Sequence, residues 1–323
     1  MSRVCAIIAT RNRRTLLRRC LKALLKQTQP LQGIVVVDNS SSDGTTQMLR
    51  EEFPAVRLVL LETNTGAAGA FKAGVMLAMA DEPQNNWLWL FDDDAEPRED
   101  SLRRLLECTD SLEHGRVSVV TPKVILSDGR VQVCHAKWDE KKAWFRMLED
   151  AAYEAPVIEV DVTGNAGPLV ACKAIALAGP PNAEMFFVFE DWEWCCRLRH
   201  YGPLYVVSDA IVVHSCYSAN PDCTPSSSAR GLWRSFFEAR NEAYVLRTYF
   251  SNINTWMRVA IRFCRYVAWC LVKADDKKGR LRLFVHGFAL GLTGNLKYGV
   301  KPGETRVRLI EQWHENKRPR ISV

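Results

Sequence analysis

Short apolar runs alternate with segments of helical spacing over the first 120 residues. The apolar runs predict five strands, at residues 4–9, 33–37, 56–61, 87–91 and 117–120. The segments between them predict helices, most clearly at residues 15–26, 70–80 and 102–106. Strands that alternate with helices at this spacing indicate an α/β fold with a mostly parallel sheet, which helices cover on both faces.

Polar clusters follow the first four predicted strands. They occupy residues 10–13, 38–43, 64–69 and 92–94. In open α/β sheets, ligands bind beyond the carboxyl ends of the strands. Because all four clusters follow strand ends, we expect them to lie at one edge of the sheet and to form a binding site together.

Three adjacent carboxylates, Asp92, Asp93 and Asp94, directly follow the buried strand at residues 87–91. They repel one another, which is costly unless a cation or hydrogen-bond donors neutralise them. Oxygen ligands suit Mg²⁺ or Mn²⁺, which usually bind through one or two carboxylates and the phosphates of a substrate. The triplet therefore predicts a metal–diphosphate site, with an acid-rich helix N-terminus as the structural alternative.

The alternation of strands and helices ends between about residues 122 and 215. This region predicts a hairpin at 123–134, a strand at 157–162, a helix at 187–199 and short strands at 205–207 and 211–213. Glu190 and Asp191 lie among aromatic residues, where the pKa of a carboxyl can rise enough for a general base. His214 ends the last short strand, and it is either a metal ligand or an ordinary hydrogen-bonded histidine.

Glycines in the loop at 64–69 would let a backbone approach a ligand closely. The loop is not a dinucleotide fingerprint, which would have to follow the first strand, where the chain has Thr10-Arg11-Asn12-Arg13. That segment excludes a Rossmann dehydrogenase, and its lack of glycine disfavours a sugar-nucleotide pyrophosphorylase. The sequence contains no GxxxxGK[ST] loop either.

Length and composition are those of an ordinary globular protein. The chain has 323 residues, of which 47% are hydrophobic and 25% are charged, so extensive disorder and coiled-coil architectures are excluded. The pattern predicts a body at residues 1–217 with halves that meet near residue 121. A linker rich in Ser, Pro and Asn follows at 218–229, and a basic helical region occupies 230–323.

Basic residues are concentrated in that C-terminal region. The net charge is +6, but residues 230–323 contain 19 Lys and Arg against 7 Asp and Glu. Residues 253–272 predict an amphipathic helix, with Arg258, Arg262 and Arg265 on one face and Val259, Phe263, Val267 and Cys270 on another. Such a helix either lies on a membrane surface or packs on the body with its arginines solvated, and the basic surplus favours the membrane. No apolar segment is long and uncharged enough to predict a membrane span.

The eleven cysteines are scattered, and none forms a CxxC pair. No secretory signal opens the sequence. This usage favours free thiols in a reducing cytoplasm over a disulfide framework or a zinc site. We therefore expect a cytoplasmic protein. No motif typical of nucleic-acid binding is present, so we expect no nucleic-acid partner.

Together, these motifs resemble those of glycosyltransferase family 2 enzymes with the GT-A fold. The resemblance covers the first 215 residues and rests on segments 9–13, 36–45, 64–71, 89–97 and 190–191. The Asp-Asp-Asp triplet and the Gly-Ala-Ala-Gly-Ala-Phe loop are most similar to the galactofuranosyltransferase and rhamnosyltransferase branch. Phe236-Phe237, Arg240-Asn241 and Gly291-Leu292 resemble the helical C-terminal region of that branch.

The resemblance implies a role for each matched residue. The implied nucleotide-binding residues are Thr10, Arg11, Arg13, Asp38, Asn64, Gly66, Gly69, Lys72, Asp92 and Asp93, with Asp38 on the uracil. The implied ligands of a Mn²⁺ or Mg²⁺ cofactor are Asp92, Asp94 and His214. Asp191 would be the catalytic base and Glu190 a contact to the sugar or acceptor. Galactofuranosyl polymerases have an aspartate where this chain has Glu190.

The implied activity is inverting transfer of a sugar from a nucleotide-sugar donor to a glycan. Galactofuranose from UDP-galactofuranose is the first choice, because rhamnosyltransferases often carry Asp-Gln-Asp in place of the triplet. Transfer from dTDP-rhamnose or another UDP-hexose is the alternative, and a catalytically inactive scaffold is an alternative of a different class. We expect a lipid-linked or polysaccharide acceptor of the bacterial cell envelope, at the inner face of the cytoplasmic membrane.

Overall fold

The computed structural model describes residues 2–81, 84–112, 117–215, 231–272 and 276–310. The linker expected at 218–229 lies outside the described residues. The division of the chain into a body and a C-terminal region therefore stays a prediction.

The first part of the chain folds into strands and helices in strict alternation. The elements are β1 (Val4–Thr10), α1 (Arg14–Leu25), β2 (Gly33–Asp38), α2 (Thr45–Glu52), β3 (Arg57–Leu60), α3 (Gly66–Asp81) and β4 (Trp87–Asp92). The first four of the five expected strands are present within a residue or two of their predicted bounds. Helix α3 begins at Gly66, inside the segment expected to be a loop.

The middle of the chain adds short strands and helices. The elements are β5 (Ala95–Pro97), α4 (Ser101–Ser111), β6 (Val119–Leu126), β7 (Ala136–Asp139), β8 (Trp144–Met147), β9 (Val157–Val160), β10 (Ala166–Ala171), α5 (Cys172–Ala178), α6 (Glu190–Leu198) and β11 (Leu204–His214). The turn expected at 127–129 is present, since the Leu126 amide donates to the Arg130 carbonyl over 2.8 Å. The two short strands expected near residue 210 form the single strand β11, whose pairing with β6 shifts register between Val207 and Ile211.

One central sheet contains most of these strands. Strands β3, β2, β1 and β4 lie side by side in that order and run parallel. Beyond β4 the sheet is mixed, because β10 pairs antiparallel with both β4 and β6. Strand β11 pairs parallel with β6 and antiparallel with β5 and β9. The parallel arrangement that the sequence predicts is therefore confined to the first four strands and the β6–β11 pair.

Strand β10 lies in the middle of the sheet, although the sequence pattern does not predict it. The segment contains Gly167 and Pro168, which usually mark a turn. Gly167 has a φ of +95°, and the pairing with β4 shifts register between Ala166 and Leu169. A local irregularity therefore accommodates two residues that otherwise interrupt strands.

Helices cover both faces of the sheet, as expected. Along β1, Ala6 and Ile8 belong to the apolar cluster that contains α1, whereas Ile7 belongs to the cluster that contains Phe71 and Val75 of α3. This alternation follows from the two-residue period of a strand that is buried on both faces.

Three helices and a small hairpin follow the sheet. They are α7 (Leu232–Tyr249), α8 (Ile253–Val272), α9 (Lys277–Thr293), β12 (Tyr298–Val300) and β13 (Val307–Leu309). Helices α7 and α9 approach each other at two glycines of α9. A Cβ atom at Gly287 would overlap the carbonyl oxygen of Phe236, and one at Gly291 would overlap that of Arg240. The helix backbones therefore touch at these positions.

Helix α8 packs its expected apolar face inward. Val259 and Cys270 are buried, and the Phe263 ring lies 5.0 Å from the Phe288 ring of α9. Arg262, on the expected basic face, pairs with Glu242 of α7 at 2.7 Å. Part of the basic face is therefore used within the chain. No helix in the described ranges combines the length and apolar character needed to cross a bilayer.

The nine cysteines in the described ranges all carry free thiols, and seven of them are buried. This is the state that the scattered spacing predicts for them.

Replacing Gly291 with valine should lower the free energy of unfolding by about 1–3 kcal/mol, because a side chain there forces α7 and α9 apart. Denaturant unfolding followed by circular dichroism measures the change. Ala289→Val, at an exposed position of α9, is the control and should cost no more than about 0.5 kcal/mol. Equal losses in the two variants would contradict the close approach of the helices.

Candidate active site

The carboxyl ends of β1, β2, β3 and β4 bring the four polar clusters to one edge of the sheet. The end of β1 leads to Thr10 and Arg13, and the end of β4 leads to Asp92, Asp93 and Asp94. Strand β11 ends at the same edge, where His214 pairs in register with Ala95 of β5. The expected meeting of these side chains is therefore present in the structure.

Asp93 is buried and is held by residues that follow β1. Its carboxylate accepts a hydrogen bond of 2.7 Å from the Thr10 hydroxyl and lies 3.2 Å from the Arg13 guanidinium. Burial raises the pKa of Asp93 to about 7, although the charge of Arg13 acts in the opposite direction. Asp93 thus links β4 to the polar cluster after β1.

Asp94 lies between the Arg13 guanidinium and the His214 imidazole. Its carboxylate is 2.7 Å from Arg13 and 2.8 Å from Nε2 of His214. Burial acts to raise the pKa of Asp94, but the hydrogen bond and charge of His214, with the charge of Arg13, outweigh burial and lower it. Burial also acts to lower the pKa of His214, and its hydrogen bond with Asp94 outweighs that effect and raises it.

Gln132 holds the other side of the His214 ring. Its Oε1 lies 2.6 Å from Nδ1 of His214, so Nδ1 donates and the amide oxygen accepts. This hydrogen bond fixes the ring orientation and directs Nε2 toward Asp94. A histidine held in this way through its second nitrogen is typical of metal sites.

Asp92, Asp94 and His214 fit a divalent cation. One donor atom from each lies within 4.8 Å of the others. Burial and the charge of Asp94 raise the pKa of Asp92 to about 6, although the charges of His214 and Arg13 act in the opposite direction, and a bound cation would lower it further. Two carboxylates and an imidazole form a donor set that suits Mn²⁺ or Mg²⁺.

The loops after β2 and β3 form a second connected cluster. Asp38 is buried, and its carboxylate accepts hydrogen bonds from the Ser41 amide and the Thr46 hydroxyl. Arg11 donates to the Asn39 carbonyl over 3.0 Å. The Asn39 side chain donates to Asn64 over 3.1 Å, which joins the two loops.

Helix α3 carries the remaining residues expected to bind nucleotide. Gly66 begins the helix with a φ of +74°, and a Cβ there would overlap the carbonyl oxygen of Phe186. Gly69 follows in the same turn, where a Cβ would press on the Thr65 side chain. Lys72 is half-buried on the next turn, and within the described ranges no hydrogen bond joins it to the other site residues. The close approach that Gly66 permits is thus to the chain itself.

Glu190 and Asp191 begin helix α6. The Asp191 carboxylate accepts a hydrogen bond of 2.8 Å from the Trp192 amide, which acts to lower its pKa. Burial outweighs that bond and, with the charge of Asp92, raises the pKa of Asp191 to about 7. Burial is the main cause of the raised pKa of Glu190 as well, and the charge of Asp92 adds to it, so both carboxylates lie within electrostatic reach of Asp92.

One carboxylate oxygen of Glu190 has no partner in the described part of the chain. Glu190 is buried, and its Oε2 makes no hydrogen bond. Burial and the charge of Asp191 raise the pKa of Glu190 well above its ordinary value. A buried acceptor without a donor is costly, and a ligand hydroxyl would satisfy it.

The loop before α6 has an unusual backbone. Phe186, Val188 and Phe189 have φ values of +63°, +65° and +65°. L-residues rarely adopt this conformation, and each instance costs on the order of 1–3 kcal/mol. The cost must be offset by contacts that hold the loop in place.

Those contacts come from α7. The Asn241 amide is fully buried and lies 2.8 Å, 3.0 Å and 2.7 Å from the carbonyl oxygens of Met185, Phe187 and Val188. Arg240, also fully buried, donates to the carbonyls of Glu184 and Met185 and to those of Leu296 and Tyr298. The Arg240–Asn241 pair therefore fixes the loop that presents Glu190 and Asp191.

Several residues that shape the site are not singled out by the sequence pattern. Gln132 lies after the turn that follows β6, and its amide donates to the Val124 carbonyl of β6, a contact that is visible only in the structure. Asn39 has a recognisable position after β2, beside Asp38, and that position could have marked it. Arg240-Asn241 stands out in the sequence only through the family resemblance, which does not reveal its contacts.

Comparison with known proteins identifies the family of the chain. The family model described as glycosyl transferase family 2 matches residues 5–165. Galactofuranosyltransferase GlfT1 of Mycolicibacterium smegmatis is 31% identical to the chain over 257 residues, which cover 75% of this chain and 82% of that protein. The chain belongs to glycosyltransferase family 2.

Two further proteins are similar to this family 2 glycosyltransferase, one in sequence and one in structure. The dTDP-rhamnosyl transferase RfbF of Shigella flexneri is 23% identical over 250 residues, which cover 76% of this chain and 80% of that protein. The crystal structure of GalNAc-T7 with UDP, GalNAc and Mn²⁺ matches with a TM-score of 0.62 at 13% identity. That match covers 91% of this chain and 56% of the GalNAc-T7 chain. The expected GT-A fold and family resemblance are confirmed.

Gln132→Leu should weaken Mn²⁺ binding to the glycosyltransferase about 10–100-fold, because His214 loses the acceptor that orients its ring. Calorimetric titration of Mn²⁺ in the presence of UDP measures the change. Gln47→Leu, at an exposed position of α2, is the control and should leave the affinity unchanged. Wild-type affinity in Gln132→Leu would show that this hydrogen bond does not support a metal ligand.

Asn241→Ala should reduce kcat about 100-fold and change the donor KM little, because the loop before α6 loses its hydrogen bonds while the loops after β2 and β3 keep theirs. Steady-state kinetics measure both quantities, and thermal melting checks that the variant folds. Thr248→Ala, at an exposed position of α7, is the control. A rise in KM at unchanged kcat would contradict the assignment of Asn241 to the catalytic side of the cleft.

Proposed function

We propose that this glycosyltransferase moves a hexosyl group from a nucleotide-sugar donor to an acceptor hydroxyl, with inversion at the anomeric carbon. The observation that supports the proposal is the pairing of a cation site with Asp191. Asp92, Asp94 and His214 converge on one side, and Asp191 lies within electrostatic reach of Asp92 with a pKa of about 7.

Asp191 acts as the general base. It accepts the proton of the acceptor hydroxyl, whose oxygen then attacks the anomeric carbon as the bond to the donor diphosphate breaks. A pKa near the working pH keeps the carboxylate both available and basic enough for this transfer. One displacement with one base inverts the anomeric configuration, and no nucleophilic carboxylate is needed.

The residues after β1, β2 and β3 bind the donor nucleotide. Asp38 faces the uracil. Arg11 lies near Asp38, because its guanidinium donates a hydrogen bond to the carbonyl of the next residue, Asn39. Gly66, Gly69, Lys72 and Asn64 border the base and ribose, and Thr10 holds Asp93 at the ribose. The free oxygen of Glu190 accepts a hydrogen bond from a hydroxyl of the donor sugar or the acceptor.

Asp92, Asp94 and His214 would hold a divalent cation, such as Mn²⁺ or Mg²⁺. When bound, it would supply positive charge against the charge that develops on the leaving diphosphate. Arg13, which contacts both Asp93 and Asp94, contributes positive charge from the chain itself.

Galactofuranose from UDP-galactofuranose is the donor we favour. A galactofuranosyltransferase is 31% identical to the chain over 75% of its length. Transfer of rhamnose is the second candidate, because a dTDP-rhamnosyl transferase is 23% identical over most of both chains. The acceptor is a lipid-linked or polysaccharide glycan, and the enzyme works at the inner face of the cytoplasmic membrane in cell-envelope synthesis.

Incubation with UDP-galactofuranose, dTDP-rhamnose, UDP-galactose and UDP-glucose in the presence of Mn²⁺ tests the proposal. We expect turnover with UDP-galactofuranose. For the wild-type enzyme, kcat/KM should fall as the pH is lowered below about 7, because Asp191 becomes protonated. Asp191→Asn should abolish transfer at every pH while UDP still binds. NMR of the product should show the anomeric configuration opposite to that of the donor.

Several results would contradict the proposal. Turnover with dTDP-rhamnose alone would replace the donor assignment. Retention of configuration would contradict the inverting mechanism, and full activity in Asp191→Asn would contradict the role of Asp191 as the general base. Binding of UDP without turnover of any donor would favour an inactive scaffold. Asp209→Asn, at an exposed position of β11, is the matched control and should keep wild-type activity.

A further inference from the structure

Helix α8 has a second apolar face, which points to solvent. Ile253, Met257 and Ile261 are 72%, 58% and 56% exposed, and Leu271 and Val272 are 57% and 73% exposed. With Cys264 and Ala268 between them, also exposed, these residues recur every three or four positions. We call this set of seven residues the outer stripe. It runs the length of the 20-residue helix, about 30 Å at roughly 1.5 Å per residue.

The outer stripe is distinct from the apolar face expected from the sequence, which packs on α7 and α9. Scattered exposed apolar residues are common on folded proteins, but a continuous apolar stripe usually marks an interaction surface. Trp269 lies on the same helix and is 42% exposed. Tryptophan is typical of the boundary between an apolar and an aqueous phase.

A groove lined by cationic side chains adjoins the outer stripe. It lies between α8 and the turn that joins β7 to β8, and has a volume of about 300 Å³. The cationic residues that line it are Lys141, Lys142, Arg258, Arg262 and Arg265. Met257 and Ile261 of the outer stripe also line this groove, so the basic and apolar surfaces meet directly. We call this feature the basic groove.

One donor in the basic groove lacks a partner. The Nε atom of Arg258 is buried and makes no hydrogen bond within the described ranges, and the guanidinium lies 5.5 Å from the Trp144 ring centre. Helices α8 and α9 together contain seven Lys and Arg residues and no Asp or Glu. No carboxylate on these helices competes for the groove, and of its five cationic side chains Arg262 is already paired with Glu242 of α7.

We propose that the outer stripe and the basic groove dock the enzyme on a bilayer that contains anionic phospholipid. The stripe enters the boundary between headgroups and acyl chains, and the groove binds lipid phosphate. Charge complementarity favours this occupant over a second copy of the chain, since two facing grooves would repel each other. The inference rests on the proposed membrane location and names the face that contacts the lipid.

Sedimentation with vesicles tests the assignment. We expect the wild-type protein to bind phosphatidylcholine vesicles only when they contain phosphatidylglycerol, and to dissociate as salt is raised. Met257→Glu with Ile261→Glu should weaken the partitioning about tenfold or more, and Lys141→Glu with Lys142→Glu should do the same. Leu25→Glu with Leu177→Glu is the matched control, because these leucines are 61% and 65% exposed elsewhere on the surface.

Donor hydrolysis in detergent-free buffer separates this inference from the proposed function. All three double variants should hydrolyse the donor at the wild-type rate, which also shows that they fold. Wild-type partitioning in both lipid-face variants would overturn the docking surface and leave the proposed reaction intact. Sedimentation velocity gives the oligomeric state. If the wild-type protein were a dimer and the Met257→Glu, Ile261→Glu variant a monomer, the outer stripe would bind a second copy of the chain instead of lipid.

Discussion

Repulsion among the carboxylates of Asp92, Asp93 and Asp94 is the constraint on which the site depends. Asp93 accepts a hydrogen bond from Thr10 and lies beside Arg13, and Asp94 lies between Arg13 and His214. Asp92 and Asp93 nevertheless have raised pKa values, of about 6 and about 7. These partners come from the ends of β1 and β11, on either side of β4 in the sheet. The strand order and the charge balance at its edge therefore depend on each other.

The sequence is sufficient to predict the parallel strands and the polar clusters at their ends, because there the local pattern of apolar and polar residues follows directly from the fold. A buried parallel strand is apolar along its length and ends in polar residues, so β1 to β4 and the clusters after them could be located without a structure. Thr10, Arg13 and Asp93 were identified for that reason, and they are hydrogen-bonded to one another. Their roles toward a nucleotide stay predictions.

The features that sequence could not provide arise from pairing between distant segments. Strand β10 depends on an irregularity at Gly167 and Pro168, which resemble a turn when they are considered alone. Gln132 reaches His214 because the chain after β6 folds back on β6, where the Gln132 amide donates to the Val124 carbonyl, and because β6 pairs in register with β11. Nothing in the period of the chain encodes that register. The sequence pattern does not single out the outer stripe, because the expected apolar face of α8 already accounts for an amphipathic helix.

The tie between Asn241 and the loop before α6 has a consequence for the extent of the enzyme. The family model ends at residue 165, yet the backbone that carries Glu190 and Asp191 takes its conformation from α7. The active site therefore needs helix α7 as well as the sheet. An enzyme shortened at the end of β11 would retain the carboxylate triplet and lose the support of its opposite wall.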